Sequence, residues 1–157
     1  MSRKQKILIY IDGGSRGNPG PAGCAAVLKT ADDGQTVLEE ARFLGRATNN
    51  VAEYQGLLLG LSLAATLKAE EIEIRSDSEL LVRQMMGQYR VKNPALQDLF
   101  AEAQDALAPF KSVEVRHIRR ELNTEADKLV NDTLDQHGKA LPPGAKPTGK
   151  GGAFRLK

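Results

Sequence analysis

"YIDGGSRGNPGPAG", residues 10–23, places an acid, Asp12, where an apolar run gives way to five glycines and two prolines. The run before it, "KILIYID" at 6–12, carries apolar residues on both faces. That pattern suits a central strand covered on two sides. A carboxylate at the end of such a strand stands at the carboxyl edge of a sheet, where sites in α/β folds gather.

Working outward, "GCAAVLK" (23–29) and "TVLEEARFL" (36–44) read as two further strands. They join through "ADDGQ", whose Asp33-Gly34 pair is a hairpin signal, so the first three strands form an antiparallel meander. From 51 to 68 the apolar residues Tyr54, Leu57, Leu58, Leu61, Ala64 and Ala65 recur at helical spacing, with Thr48, Asn49 and Asn50 available as caps. "EIEIRSD" (71–77) alternates as a strand and ends on a second acid, Asp77, and a short helix follows to about Met86. Asn93 then caps a helix with Pro94 at its first position and Leu96, Leu99, Phe100, Ala103 and Leu107 on one face. "SVEVRHI" (112–118) is the last strand, and "LNTEADKLVNDTLDQH" (122–137) the last helix, capped by Asn123 or Thr124. This order predicts an α/β fold with a mixed sheet flanked by helices.

At 157 residues, 41% hydrophobic and 4% aromatic, the chain suits one domain with an aliphatic core. We expect a domain over 1–137 and a flexible basic tail rich in Gly and Pro over 138–157. The net charge is +2, and the tail holds five basic residues and no acid, which leaves about −3 on the body. A nucleic-acid reader usually has a basic body, so here either the charge is patchy or the body concentrates carboxylates for a purpose. The lone Cys24 cannot form an internal disulfide and reads as a buried thiol, which suits a cytoplasmic setting. The longest apolar run, "LLLGLSLAA" (57–65), is far short of a bilayer span, and no signal peptide is expected.

Four acids stand out by position. Asp12 and Asp77 end strands, while Glu53 and Asp127 lie near helix starts. Each has a local explanation: Asp12 can begin a turn, Glu53 can close a capping box with Asn50, Asp77 can cap the next helix, and Asp127 can favour the positive end of its own. Capping alone does not account for four acids from four segments at one end of a sheet. Like charges so placed repel, and divalent cations with oxygen ligands reverse that cost.

The segments "YIDGGSRGNPGPAG", "TNNVAEYQGLLLGL", "IEIRSDSELLVRQMMGQY" and "HIRRELNTEADKLVN", in this order, resemble the ribonuclease HI family over nearly all of 7–134. The resemblance implies a ribonuclease H-like fold with a five-stranded mixed sheet, three strands antiparallel and then two parallel. It implies an endoribonuclease that hydrolyses the RNA strand of RNA–DNA hybrids with two Mg²⁺ ions, for which Mn²⁺ can substitute, leaving 5′-phosphate and 3′-hydroxyl ends. Catalysis and metal binding then fall on Asp12, Glu53, Asp77 and Asp127. Substrate contacts fall on Gly13, Gly14, Ser15, Asn18, Asn49 and Asn50, with the glycines letting a nucleic-acid backbone approach closely. Donors at this point could read the 2′-hydroxyls that distinguish RNA from DNA.

Two departures qualify the match. Many bacterial members carry a basic, tryptophan-containing protrusion where this chain has only "GQYRVKNP", so it resembles the compact subgroup without one. Fewer phosphate contacts weaken affinity and flatten its salt dependence. The family's mobile catalytic histidine has no clear equivalent: His117 falls inside the alternating run "VEVRHIRR" and reads as a strand residue, with Arg119 and Arg120 as auxiliary cations near the metals. His137 reads as a charge partner for the last helix's C-terminus. The competing readings are a hybrid or double-stranded RNA binding module with little turnover, and another nuclease on the same scaffold. Nothing demands more than a monomer.

Overall fold

The computed structural model describes residues 6–138 and the backbone of residues 155 and 156. Strands β1 (Lys6–Ser15), β2 (Gly20–Thr30) and β3 (Thr36–Ala47) form the antiparallel meander, followed by α1 (Asn49–Thr66), β4 (Glu71–Ser76), α2 (Glu79–Met85), α3 (Pro94–Ala106), β5 (Ser112–His117), a 3₁₀ turn at Arg120–Leu122 and α4 (Thr124–His137). A two-residue strand, β6 (Arg155–Leu156), completes the order β5-β4-β1-β2-β3-β6. The five-stranded mixed sheet is therefore as expected, with β4 and β5 parallel to β1 and β6 added on the β3 edge at Glu40 and Ala41. The expected flexible tail otherwise lies outside the described residues.

One face of the sheet presents Ile7, Ile9 and Ile11 to α1, and the core there extends to Leu96 and Ala103 of α3 and Phe110 beyond it. On the other, α4 packs Ala126, Val130 and Leu134 onto Ala25, Val27 and Phe43. Helix α1 lies between sheet and α3, which is why it is buried almost all round. Cys24 is fully buried, as read from the sequence, and burial pushes its thiol up to about 12. Toward β4 and β5 the α4 side of the sheet carries an ion cluster instead of a helix. Glu73, almost fully buried, takes ion pairs from Lys6 (3.1 Å), Arg75 (2.7 Å) and Arg116 (3.1 Å). Burial opposes its ionisation, but the bonds from Arg75 and Lys6 win and hold its carboxyl at about 2.

Three expectations are corrected. β1 does not end at Asp12: its pairing with β4 stops at Ile11, opposite Ser76, yet its pairing with β2 continues through Gly13 and Gly14 to Ser15, opposite Ala22. β2 correspondingly begins at Gly20 rather than Gly23, because Pro21 and Ala22 still face a partner across the ladder. Thr48 is the N-cap of α1, as the sequence allows, its Oγ1 accepting from Val51 N at 3.2 Å, but the local alternatives at two acids fail: Glu53 closes no capping box with Asn50. Ser78 rather than Asp77 caps α2, accepting from Leu81 N at 3.2 Å. Asn123 occupies the N-cap position of α4 but makes no capping bond with its side chain. The Asn93 cap and Pro94 start of α3 hold as read.

Candidate active site

Because β4 leaves β1 at Ile11, the next residues on the two strands, Asp12 and Asp77, stand side by side where the sheet opens. Glu53 reaches the same place because α1 crosses β1 at unusually short range. A Cβ on Gly56 would lie 2.7 Å from the Asp12 carbonyl oxygen, and one on Gly13 would lie 2.2 Å from that of Ala52. No side chain other than hydrogen fits at either position. The space over Gly13 is thus filled by helix α1 and not held open for a ligand, which corrects the reason given for that glycine. Gly14 is different, since its nearest heavy atom would be Asn49 Oδ1 at 4.0 Å. Asp127 comes from the first turns of α4, its N–H bonded to the Asn123 carbonyl at 3.1 Å.

All four carboxylates line one open cavity of about 400 Å³, with Gly13, Gly14, Ser15, Asn49, Asn50 and Arg120 also on its wall. Asn18 and Arg119 do not line it. Asn18 Oδ1 instead accepts from Asn49 N at 3.0 Å, while Asn49 Oδ1 accepts from Ser15 N at 2.7 Å, so the two asparagines strap the glycine-rich turn to the start of α1. Arg16 straps the same turn to α4 through Asp135 at 2.8 Å. His117 is the last residue of β5 and exposed, as read from the sequence, and does not line the cavity. His137 stacks on Phe43 with ring centroids 5.5 Å apart. In the loop standing in the protrusion's place Tyr89 is exposed, with the Arg83 guanidinium over its ring 5.5 Å from the centroid.

The carboxylates are electrostatically costly together. Burial, then the charges of Asp77 and Asp127, push Asp12 up to about 8 against a backbone bond from Gly13. Glu53 rises to about 7, chiefly through burial and then Asp77, opposed by a Ser78 hydrogen bond and the Arg120 charge. Such a set offers the hard oxygen donors that Mg²⁺ takes, and its mutual repulsion is what a divalent cation relieves. Among the described residues no three His, Cys, Asp or Glu side chains close into a cage around one ion. Mg²⁺ does not require one, since it commonly takes one or two carboxylates and completes its shell with water and phosphate. The donor chemistry and the open wall therefore fit.

Three contributors escape a reading of the sequence. Ser78 both caps α2 and bonds Glu53. Asn131 Nδ2 lies 3.3 Å from Asp127 Oδ2. Asn123, read only as a cap, turns its amide inward to Ile11 and Asp77. A polar residue at a helix start signals a cap, and nothing local says that it points elsewhere.

Residues 10–133 match the family described as Reverse transcriptase-like, the class in which this chain falls. The N-terminal RNase H domain of a Mycobacterium tuberculosis protein, solved as a fusion with maltose-binding protein, is 45% identical and superposes with a TM-score of 0.85 over 88% of this chain and 99% of that one. LC11-RNase H1, solved in complex with an RNA/DNA hybrid, is 44% identical with a TM-score of 0.78, over 87% and 99% of the two chains. Ribonuclease H of Anaplasma marginale is 30% identical over 85% of this chain and 93% of its own length. The chain belongs to the ribonuclease HI family. It spans 39% of the length of the curated mycobacterial relatives that it matches at 45% identity, one of them a bifunctional protein. Among the described residues no helix is long and apolar enough to cross a membrane.

Proposed function

We propose that the chain is an endoribonuclease that hydrolyses the RNA strand of RNA–DNA hybrids, leaving 5′-phosphate and 3′-hydroxyl ends. The observation that carries this is the single cavity rimmed by Asp12, Glu53, Asp77 and Asp127 and walled by the glycine-rich turn and Asn49 and Asn50. A relative 44% identical, solved with an RNA/DNA hybrid, supports the choice of substrate.

The four carboxylates would hold two divalent ions, Mg²⁺ with Mn²⁺ able to substitute. When bound, these supply activation of the attacking water and stabilisation of the leaving oxygen in an in-line displacement. Asp12 and Glu53 must give up the protons that burial and repulsion favour, so loading is coupled to proton release. Gly14, Ser15 and Asn50 face the cavity and offer backbone and side-chain groups to sugar hydroxyls, while Gly13 keeps α1, and with it Glu53, close to Asp12. Asn49 serves first by fixing the turn through Ser15, and Asn18 acts through Asn49. Arg120 sets its charge beside Glu53 and is the auxiliary cation we favour over Arg119, which lies off the wall. Action as a monomer in the cytoplasm completes the proposal.

The test is cleavage of an end-labelled RNA–DNA hybrid beside single-stranded RNA, duplex RNA and duplex DNA, with Mg²⁺, Mn²⁺ or chelator, using wild type and Asp12→Asn. Metal-dependent cutting of the hybrid's RNA strand, lost in the variant, is the expected result. Binding of the hybrid without cleavage under either metal would replace this reading with that of a binding module.

A further inference from the structure

Asn123 is 1% exposed and stands at the N-cap position of α4, where an asparagine ordinarily turns its side-chain oxygen back onto the helix's free N–H groups. Here it does not. Its Nδ2 donates to the Ile11 carbonyl at 2.9 Å and to Asp77 Oδ2 at 3.2 Å, and its own carbonyl accepts the Asp127 N–H at 3.1 Å. One side chain and its backbone thus touch the residue before Asp12, the Asp77 carboxylate and the turn that carries Asp127. Its Oδ1 is buried without a donor among the described residues. Forgoing the cap and burying a bare oxygen both cost stability. A residue selected only for stability at this place would cap its helix.

We propose that Asn123 is a positioning residue for the metal site: it ties Asp77 to β1 at Ile11, where β4 leaves that strand, and to the start of α4 and, by occupying Asp77 Oδ2, leaves Asp77 Oδ1 for the cation. This rests on the four-carboxylate reading given above. The physical basis is that a carboxylate on the short connection after β4 has free rotation unless one oxygen is held. An outer hydrogen bond fixes both the direction and the distance at which the other is offered. Partners of this kind change metal affinity by roughly 10- to 100-fold when removed. Asn123 also sets the spacing between the elements that carry Asp12 and Asp127, because the same amide bonds Ile11 and the same residue, at the N-cap of α4, accepts the Asp127 N–H.

The experiment is calorimetric titration of Mn²⁺ and of Mg²⁺ into wild type, Asn123→Ala, Asp77→Asn and the double variant, each without nucleic acid, with the unfolding midpoint in chelator measured alongside. Asn123→Ala should weaken binding of the ion by at least tenfold well below its unfolding midpoint, and should raise by a similar factor the metal concentration needed for half-maximal hybrid cleavage. In the Asp77→Asn background the same substitution should weaken affinity by a clearly smaller factor than in wild type, since the carboxylate it holds directly is gone and only its bonds to Ile11 and Asp127 remain. If Asn123→Ala does not fold, Asn123→Leu fills the same space without a donor and is held to the same standard. A folded variant that binds metal within twofold of wild type overturns the positioning role, even if its unfolding midpoint falls. Wild type that binds neither ion overturns the carboxylate reading itself and the positioning role with it, so the two failures are told apart by the wild-type titration.

Discussion

Gly56→Ala tests how the cavity is assembled. The new Cβ would lie 2.7 Å from the Asp12 carbonyl oxygen and 3.4 Å from that of Ala25, and ordinary contact begins at 3.4 Å. Helix α1 must therefore retreat from β1 by about 0.7 Å, or β1 must bend, because the group it strikes, the Asp12 carbonyl, is backbone. Overpacking of this kind costs about 1 to 3 kcal/mol. For a chain of this size that lowers the unfolding midpoint by roughly 3 to 10 °C. Glu53 lies three residues before Gly56 on the same helix and moves with it, away from Asp12. A displacement approaching 1 Å in a catalytic constellation lowers turnover by up to roughly 100-fold. Thermal unfolding followed by circular dichroism, and hybrid cleavage at a temperature where both proteins are folded, read the two effects separately. Gly14→Ala is the control for stability, because its nearest neighbour would be 4.0 Å away. Gly56→Ala with an unchanged midpoint and unchanged turnover would refute the claim that close approach of α1 to β1 sets the site.

Other outcomes follow from charge and burial. In chelator the folded state should lose stability as pH rises from about 4 to about 8 and level off above. Asp12 at about 8 and Glu53 at about 7 lie above their ordinary values of 3.8 and 4.5, so the folded state keeps protons that the unfolded chain releases. Denaturant titrations at several pH values check this, and Mg²⁺ should flatten the trend. Metal binding at pH 7 should release roughly one proton per molecule, read by calorimetry in buffers of different ionisation enthalpy. Glu73→Gln should destabilise by about 2 to 4 kcal/mol, measured by urea unfolding at neutral pH, because it removes the negative charge shared by Lys6, Arg75 and Arg116. In wild type the stability Glu73 supplies is complete above about 4.5 and is lost as pH falls toward about 2, the sign opposite to that of Asp12. Cys24, fully buried with its thiol pushed up to about 12, should resist alkylating reagents in the folded protein and react once urea unfolds it.

Much of this molecule is written locally. Alternation in "EIEIRSD", helical spacing from Tyr54 to Ala65, the Asn93-Pro94 start and the Asp33-Gly34 turn each depend on neighbours a few residues away, and each element forms where its pattern lies. The four acids are legible for a related reason: an acid that follows an apolar run, or falls near the start of a helix, stands out from its immediate neighbours whatever the rest of the chain does. Their meeting in one cavity depends on β4 lying beside β1, which a helical crossover already favours. Tertiary structure alone decided the rest. Whether β1 stops at Asp12 depends on which neighbour it is paired with, and its two neighbours give different answers. Gly13 and Gly56 look like ordinary loop and helix glycines until α1 is laid across β1, when each proves to be the place where a Cβ would strike backbone. Asn123 carries the signal of a cap, and only the burial of this N-cap position against the gap between β1 and β4 gives its amide better partners than its own helix. Local sequence fixes what a residue can bond. Which of those bonds it makes is set by what the folded chain brings within 3 Å of it.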